Sequence, residues 1–380
     1  MRRFETPADT EASPVTRVST LEIFFDLIFV FTVTQLTSLI AHPHGVGTFI
    51  EAALIFMVTW WMYDGYVWLT SNLRIERTRY RLLMLTGMIG FFQMALSVPT
   101  AFTTGTKGFG AGLMMAALAH AMLFAHRPRS SGRAITYTAP LNIAISLFVF
   151  ASGFAPETWR VPLWAVAAGV LMVRLVSFIV FPGQREVEFS LSPTHFIERH
   201  GLILMIALGE SIIAVGTSAS GEGQMLSWEA RFLASFALML TASLWWTYFS
   251  RDDTRAEHVL MELPHNLRVS KGGVVALTHL GMIAGIVTLA AGFKNALGST
   301  DERLLAASFL ASGVSLYLLS DGFYRRSLGL GPGRLRFLFA ALTFSTAPLG
   351  AYAGPLVQTV VLEVLLVWML SFITHRRPDA

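Results

Sequence analysis

The residues of this chain that could do chemistry are carboxylates set in apolar surroundings. Glu22 and Asp26 stand four apart in TLEIFFDLIFVFTVTQL, so a helix puts both on one face, with Thr37 on the same face. Glu210 lies in GLILMIALGESIIAVG between Gly209 and Ser211, with no basic residue in that run. A carboxylate held this way can exchange a proton, coordinate a cation, or stay neutral on a hydrogen bond to a neighbouring helix. Arg174 sits about seven residues from one end of its apolar stretch, close to the depth expected for Asp26 and Asp64. Those acids are its expected partners, either in an ion pair that fixes helix packing or in a pair that gates. Glu363 is a similar acid, structural or lumen-facing, and His120 and His279 fit helix-to-helix hydrogen bonds.

Other chemistries fail on composition and motif. The chain has no Cys, which removes disulfides, thiolate metal sites and cysteine nucleophiles. It has no HExxH, Walker loop or GxSxG, so no catalytic residue, resident metal or cofactor is expected. Asp252-Asp253 keeps a membrane-embedded enzyme or lipid-handling protein among the readings, because paired acids can hold a divalent ion; flanking Arg251 and Arg255 fit a solvated face equally well. A net charge of +4 and a pI near 9.6 do not imply nucleic acid, since the basic residues are scattered through short gaps.

What must position the carboxylates is a set of membrane helices. The chain is 54% hydrophobic and 14% charged, with a mean hydropathy of +0.58. About twenty apolar residues cross a bilayer. Twelve stretches qualify, near 21–41, 48–70, 81–101, 108–126, 134–152, 159–181, 196–218, 230–250, 272–292, 303–320, 335–353 and 355–374, the last two meeting at Gly354-Pro355. Residues 1–18 carry acids and prolines and do not read as a cleaved signal peptide. Placing both termini in the cytoplasm puts 22 of the 28 Lys and Arg in cytoplasmic segments; Lys107, Arg160, Arg231, Lys294 and Arg303 fall outside, and Arg174 lies within a span. The expected fold is therefore all-α and polytopic, with about twelve transmembrane helices, N-in and C-in.

The stretches fall into two halves. Trp60-Trp61-Met62-Tyr63 followed by Asp64 in the second stretch is echoed by Trp245-Trp246-Thr247-Tyr248 followed by Asp252 in the eighth, and the first and seventh each carry an acid at the edge and one deeper. An interfacial aromatic belt explains the Trp pairs as well as inheritance does. An even number of helices per half makes the repeats parallel. The expected organisation is a tail at 1–18, a six-helix half at 19–183, a second at 184–374 and a tail at 375–380. In the ninth stretch Gly281, Gly285 and Gly292 form a small-residue ridge for helix packing.

TLEIFFDLIFVFTVTQL and HFIERHGLILMIALGESIIAVG resemble the bacterial low temperature requirement protein A family, and the likeness runs through nearly the whole chain. The residues that carry it are Glu22, Phe24, Phe25, Asp26, Phe29 and Gln35, then Glu198, Arg199, Gly201, Gly209, Glu210 and Ser211. The resemblance implies a polytopic protein of the bacterial inner membrane, linked by name to growth at low temperature. The first helix is also similar to that of endolysosomal-type potassium channels, with Phe24-Phe25-Asp26 where those have Phe-Ser-Asp. The expected function is a cation- or proton-coupled solute transporter with Asp26, Glu210, Glu22, Gln35 and Ser211 along its path; a potassium-like ion channel is the alternative. Its expected partners are the lipid bilayer, a small cation or solute and, in a homo-oligomer, a second copy.

Overall fold

The computed structural model describes residues 18–73, 75–125, 132–181, 191–219, 227–298, 303–331 and 333–375. Both expected tails, apart from Val18 and His375, and the loop arginines Arg2, Arg3, Arg17, Arg74, Arg127, Arg129, Arg185, Arg376 and Arg377 lie outside the described residues. Within them there are no strands. The helices are α1 (Thr20–Ala41), α2 (Gly47–Thr70), α3 (Thr78–Ser97), α4 (Thr106–Ala125), α5 (Gly132–Ser152), α6 (Glu157–Val180), α7 (Pro193–Ala219), α8 (Trp228–Phe249), α9 (Asp252–Glu262), α10 (His265–Leu297), α11 (Arg303–Leu328), α12 (Arg334–Phe344), α13 (Ala347–Ala353) and α14 (Pro355–His375).

Among the described residues nine helical stretches are long and apolar enough to cross a membrane. Their outer faces suit lipid: Leu27, Ile89, Val173, Phe232 and Val364 are all more than half exposed, a dispersed apolar surface that water would not tolerate on a soluble protein. Three expected spans are less simple. The 24-residue α2 is long enough, but Glu51, Asp64 and its Trp and Tyr residues make it less apolar. The apolar part of α5 described is Thr138–Ser152. The stretch expected to run from 335 to 353 is two helices, α12 and α13, broken at Ser345-Thr346 ahead of Pro348, whose missing N–H cannot continue the ladder. At ~1.5 Å per residue neither piece crosses alone. Gly354, with φ of 97°, then turns the chain into α14.

Close packing depends on glycine. A methyl group at Gly90 of α3 would come within 2.6 Å of the Gly112 carbonyl oxygen and 2.8 Å of the Ala116 nitrogen on α4. At Gly285 of α10 it would meet the Gly313 carbonyl oxygen and the Tyr317 nitrogen on α11, both at 2.7 Å. Gly281 and Gly292 lie equally tight on Ser320 and Leu310. The two hairpins are thus packed backbone to backbone, in antiparallel pairs.

α1 and α7 run side by side in the same direction. The first turns of α1 meet those of α7 through Glu22, His195 and Arg199, and further along Thr34 faces Glu210. α10 runs antiparallel to α1, so Lys294 in its last turn reaches Ser38, Nζ to Oγ 2.9 Å. These three helices enclose most of the polar groups described below.

Candidate functional site

Ser19 starts α1 by accepting a hydrogen bond from the Glu22 backbone N–H, while the Glu22 side chain returns to the Ser19 N–H at 2.9 Å. That reciprocal cap fixes Glu22 with one oxygen free to point across the seam. Four residues later Asp26 occupies the same face. On α7, His195 and Arg199 are also four apart, and they meet the acids: His195 Nε2 is 3.0 Å from Glu22 Oε1, Arg199 Nη1 3.0 Å from the same oxygen, and Arg199 Nη2 2.5 Å from Asp26 Oδ1. The Tyr63 hydroxyl of α2 donates to Asp26 Oδ1 at 2.9 Å. Arg199, Asp26 and His195 are 0% exposed, and Phe25, Phe29, Tyr66 and Phe91 close an aromatic wall over the cluster.

The charges do not cancel. Two carboxylates face one guanidinium, so the cluster keeps one negative charge unless a proton or cation joins it. His195 stands beside Glu22, with Nδ1 3.1 Å from the hydroxyl oxygen of Ser71, which itself donates to the Val67 carbonyl at 2.8 Å. Asp26 Oδ2, buried and without a partner among the described residues, is a place for a proton.

Two expectations about this region change. Arg199 is not a loop cation, because α7 begins at Pro193 and carries it into the second turn, against α1. Asp26 is met by Arg199 and Tyr63 instead of Arg174, since α6 packs chiefly on α2, α5 and α10 while α7 packs on α1. Arg174 and Asp64 line one cavity of about 90 Å³ with Trp61, Trp68, His120 and Asn142. Asp64 also accepts from Trp68 Nε1 at 3.1 Å and faces His200 Nε2 of α7 at 3.5 Å.

The polar layer continues along the same end of the bundle. His200 and His279 rings stack edge to face at 4.9 Å, and the Tyr248 hydroxyl is 3.0 Å from His279 Nε2. Beyond lie the buried ion pairs Asp252–Arg325 and, at 2.6 Å, Asp321–Arg336. Asp252, expected on a solvated face or in a metal site, is 2% exposed with a guanidinium partner because α9 folds back against α7 and α11. Among the described residues no three His, Asp or Glu side chains gather to hold a metal.

Glu210 belongs to a different level. Eleven residues beyond Arg199, it is ~16 Å further along α7. It is 5% exposed, faces Thr34 of α1, and lies in the field of Lys294. Lys294, expected in an outer loop, is part of a helix because α10 extends to Leu297. Ser211 is fully buried with its hydroxyl unpartnered among the described residues, and Gln35 is half-buried. Asp26 and Glu210 therefore share the α1–α7 seam without sharing one site. Glu363 accepts from Ser243 at 2.9 Å in a groove between α8 and α14.

Sequence reasoning misses His195 and His200 altogether and gives Arg199 no partner. Their signal is present all the same: Glu22/Asp26 and His195/Arg199 are complementary pairs at identical i,i+4 spacing, each in the opening turns of an apolar helix.

Comparison with known proteins gives two findings. The profile of the family described as Bacterial low temperature requirement A protein (LtrA) matches residues 17–371. An uncharacterized protein of Rhizobium meliloti (strain 1021) is 29% identical over 393 aligned positions, covering 97% of this chain and 93% of that protein.

Proposed function

Because the chain belongs to the bacterial low temperature requirement A family, a family of apolar-helix membrane proteins, we propose that it is a cation- or proton-coupled solute transporter of the bacterial inner membrane. The support comes from the α1–α7 seam. There, two carboxylates and one guanidinium are sealed from water with one charge unbalanced, an arrangement that binds a proton or cation and costs several kcal/mol to leave uncompensated. Charges at this depth are expensive and mark ion pathways more often than packing.

On this reading Glu22, Asp26, Arg199 and His195 form an ionic lock over one half of the seam, and Glu210, Thr34, Ser38 and Lys294 form the polar level in the other half. Moving a solute past the lock requires the Arg199 contacts to open, and taking up or releasing the balancing proton or cation changes their strength. That links solute passage to an ion, which is what coupling means. A channel reading asks for a standing wet path along α1; here Arg199 and Tyr63 fill the space beside Asp26. We further read the chain as twelve crossings with both ends cytoplasmic, in two parallel six-helix repeats. The repeat reading rests on the matching pattern of Gly90 against Gly112 and Ala116 and of Gly285 against Gly313 and Tyr317.

The test is flux in proteoliposomes, screening cation gradients and small solutes while following internal pH. Asp26→Asn leaves Glu22 and Arg199 balanced, so it folds and loses coupled flux; Glu210→Gln folds and loses flux as well. Wild-type flux in both folded variants removes these carboxylates from the mechanism.

A further inference from the structure

Resting on the transporter reading, we propose that the protein has a second proton site beside the Glu22–Asp26–Arg199 lock: His200 and Asp64 hold a proton between them, at the wall of the Arg174 cavity.

The hydrogens on the His200 ring follow from its neighbours. His200 is 0% exposed, and its Nδ1 lies 2.9 Å from the carbonyl oxygen of Phe196, one turn back on α7. A carbonyl only accepts, so Nδ1 carries a hydrogen. Nε2 then either bears a lone pair or a second hydrogen. It faces Asp64 Oδ1 of α2 at 3.5 Å, and neither atom has another hydrogen-bond partner among the described residues. A lone pair against a carboxylate oxygen, with no hydrogen between two acceptors in a dry site, is unfavourable. One added proton removes the conflict. Placed on Nε2, it makes an imidazolium–carboxylate pair with Asp64 Oδ1.

The surroundings restrict that charge to His200. His279 of α10 is the titratable ring packed against it, with centroids 4.9 Å apart. Its Nδ1 donates to the Val275 carbonyl at 2.8 Å, and its Nε2 accepts from the Tyr248 hydroxyl at 3.0 Å, so it is satisfied as a neutral ring. The remaining ring neighbours, Trp60 of α2 and Phe196, bring no charge. The second Asp64 oxygen is occupied by Trp68 Nε1.

A proton also has a way in. Asp64 lines the cavity of about 90 Å³ that it shares with Arg174, His120 and Asn142. The lining is largely apolar, and Asp64, Arg174, His120, Asn142 and Thr138 are its polar groups; the volume is enough to hold water beside them. Of the two groups Asp64 borders the cavity, so a proton reaches His200 Nε2 through Asp64.

Nitrogen NMR on full-length protein in nanodiscs, labelled in histidine, reads the site directly; the His200 signal is identified by its loss in His200→Gln. Both His200 ring nitrogens are expected to be protonated in the wild type. In Asp64→Asn, whose amide can donate to Nε2, the ring is expected to carry a single hydrogen under the same conditions. A singly protonated His200 in the folded wild type, or a doubly protonated one unaffected by Asp64→Asn, overturns the proposal. Flux measurements separate the two layers of the claim. Proton-driven flux falling to background in His200→Gln supports coupling at this site, whereas full flux in that variant overturns the coupling. An imidazolium at His200 in a protein that moves no solute would defeat the transporter reading and leave the proton site standing.

Discussion

Arg199 is the residue on which the α1–α7 seam turns. Its guanidinium bridges Glu22 and Asp26 with 0% exposure, so Arg199→Ala leaves two buried carboxylates with no fixed cation. Breaking a buried pair from one side costs about 3–5 kcal/mol, and the variant should show a matching loss of thermal stability in detergent. Adding Glu22→Gln and Asp26→Asn should recover most of that loss; additive losses across the three sites would mean that they do not act as one cluster. Arg174→Ala should leave the seam's stability unchanged, since Asp26 is held by Arg199. At this scale the sequence singled out Glu22 and Asp26 as acids in an apolar run and gave Asp26 to Arg174, where the structure has Arg199. The carboxylates stood out because charge inside an apolar run is costly, whereas Arg199 looked like a loop residue until the start of α7 was known to within a turn. Lys294 was hidden for the same reason at the far end of α10.

Among the helices, the glycine-packed hairpins carry the rigid frame. Gly285→Ala would press a methyl group to 2.7 Å from two backbone atoms of α11, and Gly90→Ala would do the same against α4. Overpacking of this kind costs about 1–3 kcal/mol, and each variant should melt earlier than wild type. Gly209, beside Glu210, has nothing within 4 Å of an added methyl group, so Gly209→Ala should fold normally. Equal melting of the three variants would contradict the packing described. The ridge of Gly281, Gly285 and Gly292 was legible as a spacing, though its partner helix was not. Most of the hydrophobic stretches were also legible as helices, because a long apolar run in lipid leaves the backbone little else to form. The exception was the eleventh, where Ser345, Thr346 and Pro348 divide the helix; hydropathy averages over such a break, because the residues on both sides stay apolar.

As a whole molecule, the chain is a helical membrane protein whose buried ion pairs collect at one end of the bundle, from Glu22 and Arg199 through His200 and Asp64 to Asp252, Arg325, Asp321 and Arg336. That layering was not readable from sequence, since it joins residues from α1, α2, α7, α9, α11 and α12 that only the tertiary fold brings to one level. The absence of Cys makes orientation simple to measure with single introduced cysteines. Glu76→Cys, between α2 and α3, and Thr104→Cys, between α3 and α4, replace exposed residues at the two ends of α3 and should label from opposite sides of the membrane. Labelling of both from one side would undo the topology. Carboxylate-coupled transport is tested most directly by proton movement into proteoliposomes containing wild type, Asp26→Asn or Glu210→Gln, under the same imposed gradients. Proton movement tied to solute or cation flux is expected in the wild type, and none above empty vesicles in either folded variant; equal movement in all three would contradict a role for these acids.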